Sequence, residues 1–91
     1  MAIYETNEVK ERVPEVIRNA LWIALANLKQ PSFSHSFELQ ALHTGEKVYQ
    51  RIIHTQKDSV YHEEFKFETE NPIDDMRVRI VGFESNWLML L

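Results

Sequence analysis

The side chains in this sequence best suited to chemistry by type and spacing are two histidines and an acid, His35, His54 and Glu63. Residues alternate apolar and polar over 33–42 and again over 47–54, the period of a half-buried strand. Folding these segments back on each other through a turn at 43–46, with Leu42 facing Lys47, sets His35 opposite His54. A third strand in which Ile52 faces Phe65 brings Glu63 alongside. Two imidazoles and a carboxylate on one sheet face could hold a divalent metal with open positions. The competing reading is that the histidines cap the polar end of the core, bonded to backbone or to one another, while Glu63 is solvated. The spacing matches no familiar metal motif.

Other chemistry finds less support. Asp74-Asp75 and Glu63-Glu64 are adjacent pairs, and neighbours on a strand point to opposite faces, so neither pair can attend one substrate atom. Gly45 and Gly82 are the only glycines, which removes phosphate-cradling and dinucleotide loops. Ser32, Ser34, Ser36, Ser59 and Ser85 stand in no nucleophile motif, and the chain has no cysteine. The expectation is a non-enzymatic module with no cofactor. The acids Glu63, Glu64, Glu68, Glu70, Asp74 and Asp75, relieved only by Lys66, could form a surface for a basic partner or an ordinary solvated strand end.

The elements that must position these groups begin with one main helix over 14–28. Proline suits a first helical position, Glu15 complements the positive end of the helix dipole, and Pro31 prevents continuation. At about 100° per residue, Ile17, Ala20, Leu21, Ala24 and Leu28 share an apolar stripe, and Trp22 falls among the polar residues opposite. Strands are expected over 33–42, 47–54, 60–68, 76–84 and 87–91, with a further short one at 3–5. Gly45 can take the positive φ of a turn, Asn71-Pro72 marks a second, and Ser85-Asn86 could close a last hairpin. One helix and consecutive strands predict an α+β domain spanning 1–91, the helix packed on an antiparallel meander sheet of four to six strands. A small curled barrel is the alternative.

Composition sets the outer bounds. Ninety-one residues with 44% hydrophobic content suffice for one core. Fourteen acids against ten bases leave a net charge of −4, the wrong sign for a nucleic-acid backbone. The opening residues Met1-Ala2-Ile3-Tyr4-Glu5 lack a secretory signal, and no apolar run reaches the ~18 residues of a membrane span. A cytoplasmic location is expected.

The order of landmarks resembles a known family: Val13-Pro14-Glu15, Leu21-Trp22, Phe37-Glu38-Leu39, Ile53-His54-Thr55-Gln56, Tyr61, Asn71-Pro72-Ile73 and the terminal Leu88-Met89-Leu90-Leu91. It is similar to the small proteins of Gram-positive bacteria and their phages catalogued as domain of unknown function 960. The resemblance spans nearly the whole chain and implies no established activity.

A surface argument supplies the functional expectation. One helix shelters one sheet face, yet the last hairpin carries Met76, Val78, Ile80, Trp87 and Met89 on one side and Val81, Phe83, Leu88 and Leu90 on the other. Either the segment around Ile3, Tyr4 and Val9 folds over the second face, or that face seeks a partner. Trp22 makes the same demand from the helix. The sequence thus predicts a protein-interaction or accessory module using Trp22, Val81, Phe83, Leu88 and Leu90, with a second copy as the simplest partner.

Overall fold

A computed structural model describes residues 2–29 and 31–91; Met1 and Gln30 lie outside the described residues. The elements run β1 (Ile3–Glu5), α1 (Asn7–Arg12), α2 (Glu15–Ala26), β2 (Ser34–Thr44), β3 (Lys47–Gln56), β4 (His62–Glu68), β5 (Met76–Phe83) and β6 (Asn86–Leu90). The fold is α+β, with a six-stranded, mostly antiparallel sheet and two helices among the described residues. Their arrangement departs from the expectation in three ways.

First, the sheet order is β1-β6-β5-β2-β3-β4, so it is not a simple meander. β2, β3 and β4 follow one another, as do β5 and β6, but β5 returns to pair with β2, which gives a Greek-key order. The returning connection crosses the inner face of the sheet and is pinned by the buried amide of Gln50. Its Oε1 accepts from Ile73 N at 2.7 Å, and its Nε2 donates to Ile73 O at 2.9 Å and Gln40 O at 3.1 Å. Asp74 Oδ1 then accepts from Ala41 N at 3.0 Å, just past the β2–β5 ladder. Both ends of the sheet stay open, so the strands do not close into a barrel.

Second, the β2–β3 register is shifted by two residues. The turn uses only Gly45, at φ 62°, and Glu46, so Thr44 faces Lys47, Leu39 faces Ile52 and Phe37 faces His54. A turn of 43–46 overlooked how far a glycine in the left-handed region tightens a hairpin. Because the shift is even, every side chain keeps its face. The expected β3–β4 register, Ile52 against Phe65, is the observed one.

Third, the N-terminal segment does not cover the second sheet face. β1 adds to the edge in parallel with β6, and Thr6 Oγ1 accepts from Val9 N to start α1. Val9 and Val13 are buried on the same side as the α2 residues Ile17, Leu21 and Leu25. These pack over Phe37, Leu39, Ile52, Val78, Ile80 and Met89, the inward residues of the central strands. The opposite face carries Tyr4, Leu88, Leu90, Val81 and Phe83 at its β1–β5 end, and Phe83 is 46% exposed.

Trp22 is a further correction. It is half-buried against the core, and its indole N–H donates to Glu5 Oε2 at 2.8 Å, while Arg18 Nε donates to Glu5 Oε1 at 3.1 Å. One carboxylate thereby clamps α2 to β1. Helical position alone placed Trp22 outward because it gave no sign of the small edge strand that reaches it.

Two substitutions test this packing. A β-carbon at Gly82 would come within 2.8 Å of the Trp87 ring. Gly82→Ala is therefore expected to lower stability by about 1–3 kcal/mol in urea unfolding. Glu5→Ala strands the Trp22 N–H and is expected to cost about 1–3 kcal/mol, with a red shift of tryptophan emission.

Candidate functional site

The inner face of the sheet holds the densest polar chemistry of the protein. Phe37 and His54 face each other across β2 and β3, and their rings stack at a centroid distance of 4.2 Å and 22°. His35, two residues away on the same face, reaches His54 diagonally: His35 Nδ1 lies 3.0 Å from His54 Nε2. The far nitrogen of His35, Nε2, lies 2.7 Å from the carbonyl oxygen of Ser32. Both histidines are buried, and the Tyr61 ring meets His54 edge-on at 5.1 Å.

The tautomers follow from these contacts. A carbonyl oxygen only accepts, so His35 Nε2 carries the proton, and the Nδ1 of a neutral His35 is an acceptor. His54 Nε2 must then donate to it, which leaves His54 Nδ1 with a bare lone pair. Burial keeps both rings neutral. It lowers the pKa of His35, opposed by the bond to Ser32, and lowers that of His54 to about 4, with the neighbouring His35 adding to the effect.

The expected metal set is therefore only partly assembled. His35 and His54 do meet, though diagonally, and Glu63 does face His54 across β3 and β4. The imidazoles spend themselves on each other and on Ser32, however, and Glu63 is exposed. No group of three His, Cys, Asp or Glu side chains suited to a metal occurs among the described residues. The arrangement is the one in which the histidines cap the polar end of the core.

A cleft of about 510 Å³ opens beside the pair. Its walls are Ala20, Ile23 and Ala24 of α2 with Asn27 and Leu28 just past the helix end on one side, and Tyr61, Phe65, Lys66 and Phe67 of the outer strand region on the other, with His54 and Glu63 also lining it. The cleft exists because the helical layer runs out before β4 does. Phe65 and Phe67 point inward yet stay half-buried, and Ile23 is 61% exposed.

The expected acidic surface is broken up by the pleat and the loop. Glu64 and Glu68 lie on the open face, where Lys47, Arg51, Lys66, Arg77 and Arg79 outnumber them together with Glu38. Glu64 bonds Arg51 Nη2 at 2.9 Å, which holds its carboxyl below the usual range, and Glu68 lies 4.0 Å from Lys47. Asp74 caps the Ala41 amide, Asp75 takes φ 54° in the connection, and Glu70 is exposed near its start. These acids share no single face.

Tyr61, Gln50 and Glu5 are the residues whose roles sequence reasoning missed. In the strand expected over 60–68, Tyr61 falls on the same side as Phe65 and Phe67, a signal that could have joined it to His54. Nothing local marks Gln50 or Glu5, because their partners lie far along the chain.

No family model matches the chain, and no curated protein matches it. Among solved structures it is similar to the crystal structure of a protein of unknown function from Enterococcus faecalis, with TM-score 0.72 and 18% identity, covering 99% of this chain and 86% of that one. The likeness shows a shared fold. No helix among the described residues is long and apolar enough to cross a membrane.

The buried histidines make a specific pH prediction. In the unfolded chain a histidine titrates near 6.5, whereas folded His54 protonates only at about 4. Between these values the unfolded state binds more protons. Stability is thus fully present above about pH 6.5 and falls by about 2–3 kcal/mol as pH drops toward 4. Urea unfolding across this window checks it, and His54→Gln is expected to flatten the slope.

Proposed function

We propose that this chain is a non-enzymatic interaction module that works as a homodimer, joined edge to edge through β4. The reading against catalysis rests on the histidine pair, whose rings are buried, neutral and bonded to each other and to the Ser32 carbonyl. The surface differs from the Trp22 and C-terminal hairpin patch expected from sequence. Trp22 is held by Glu5, and the apolar hairpin face offers area without any feature that selects a register.

The observation that carries the proposal is the charge pattern on the free edge. Among the described residues β4 pairs with β3 alone and leaves its other edge open over the stretch His-Glu-Glu-Phe-Lys-Phe-Glu. Two copies related by a twofold axis through the sheet must pair residues of the same face, so only every second register is allowed. Centring on Phe65 sets Glu64 against Lys66 of the second copy and His62 against its Glu68. Centring on Glu64 or Lys66 sets like charges against each other, which opposes pairing. Centring on Phe67 also sets Lys66 against Glu68 but pairs only three residues of the strand, so the Phe65 register, which pairs all seven, is favoured and would continue the sheet through both copies.

The order of sequence landmarks supports, within this same proposal, kinship with domain of unknown function 960. It adds no activity.

Analytical ultracentrifugation over a concentration series tests the dimer. The wild-type chain should associate; Lys66→Glu should weaken association about tenfold by facing two acids across each pair. The exchange E64K/K66E should restore it. Since the chain has no cysteine, Phe65→Cys should also yield an oxidised covalent dimer. A wild-type protein that stays monomeric throughout, or a Lys66→Glu variant that associates unchanged, would remove this surface.

A further inference from the structure

The cleft beside the histidine pair has features that self-pairing along β4 does not use. Its polar groups converge at one end. His54 is 1% exposed, and the hydrogen bonding derived above leaves its Nδ1 as an acceptor with no protein donor among the described residues. His54 lines the cleft, so a ligand seated there meets the ring that carries this acceptor. Tyr61 stands against the His54 ring, and Glu63 is close enough to act electrostatically on the Tyr61 hydroxyl.

The charge at that end has one sign. Glu63 is the carboxylate of the cleft, and the other ionic residue in its wall, Lys66, turns its ammonium to the opposite sheet face, 4.8 Å over the Tyr49 ring. The other end is apolar, formed by Ile23, Ala24 and Phe65. A ligand that matches has a small hydrophobic body and a positively charged head that donates hydrogen bonds. Aromatic faces beside the acid favour the same sign of charge. The volume of about 510 Å³ lies within the range of small-molecule sites.

We infer that the cleft between α2 and β4 binds a small organic amine, its ammonium held between Glu63 and the Nδ1 acceptor of His54 and its apolar body lying against Ile23 and Phe65. An anion of the same shape is disfavoured twice, by the Glu63 charge and by an imidazole nitrogen that has no proton to give. A neutral alcohol keeps the bond to His54 and loses the ion pair. The site therefore ranks amine above alcohol above carboxylate, an order that simple hydrophobic uptake would not produce.

Three molecules of one shape test this ranking on the full chain: 2-phenylethylammonium, 2-phenylethanol and phenylacetate, followed by calorimetry and by amide and imidazole ¹⁵N shifts. The expected result is saturable amine binding, with shifts centred on Ile23, Tyr61 and Phe65 and a change at His54 Nδ1. Phenylacetate should not bind. Glu63→Gln, an exposed position that leaves the fold intact, should weaken the amine roughly threefold to tenfold and leave the alcohol unchanged. Ile23→Lys, also on the surface, should abolish amine binding. Glu64→Lys, on the open face outside the cleft, should dissociate the dimer by facing two lysines and leave amine binding in place, so the two ideas can fail separately. Equal binding of phenylacetate, shifts confined to another surface, an undisturbed His54 resonance or a Glu63→Gln variant of full affinity would each overturn the assignment.

Discussion

The order of the sheet depends on one buried amide. The chain between β4 and β5 must pass both β3 and β2 to bring β5 against the far edge of β2, and at the half-buried Ile73 it carries backbone groups that need partners. Gln50 resolves this: both its ends engage the backbone of Ile73, and its spare donor engages Gln40. Each such group left unpaired would cost about 1–3 kcal/mol. With the crossing fixed, β5 lies beside β2 and its hairpin partner β6 can receive β1.

That topology places the apolar supply unevenly. The hairpin of β5 and β6, built with both sides apolar, lies toward one end of the sheet, and the helices cover only its inner side. At the other end β4 is under-covered, with Phe65 and Phe67 half-buried beside the exposed Ile23. The cleft follows from the shortage of helix above β4, while the free edge follows from the strand order, which leaves β4 last in the sheet.

The histidines illustrate how burial changes the meaning of a residue type. On an exposed sheet, His35 and His54 would be a metal pair or a proton relay. Sealed under Phe37 and Tyr61 they are neutral at ordinary pH, and the carbonyl of Ser32 fixes the whole chain of donors and acceptors. What is left over is a single acceptor atom on a ring that lines the cleft, and its polarity follows from a contact on the far side of the neighbouring ring.

The sequence by itself determined the elements from α2 onward, the face of each strand residue, the β3–β4 register and the meeting of His35 with His54. All of these depend on local periodicity, and strand parity survives even a two-residue error in pairing. It also flagged the doubly apolar last hairpin. The return of β5 to β2, the parallel edge strand β1, the capture of Trp22 by Glu5 and the dispersal of the acids were decided by tertiary structure. Each joins residues far apart in the chain, and the last hairpin, expected to close at Ser85-Asn86, turns one residue earlier at Glu84 and Ser85, both at positive φ without a glycine. Periodicity states which way a side chain points; only packing states what it meets there.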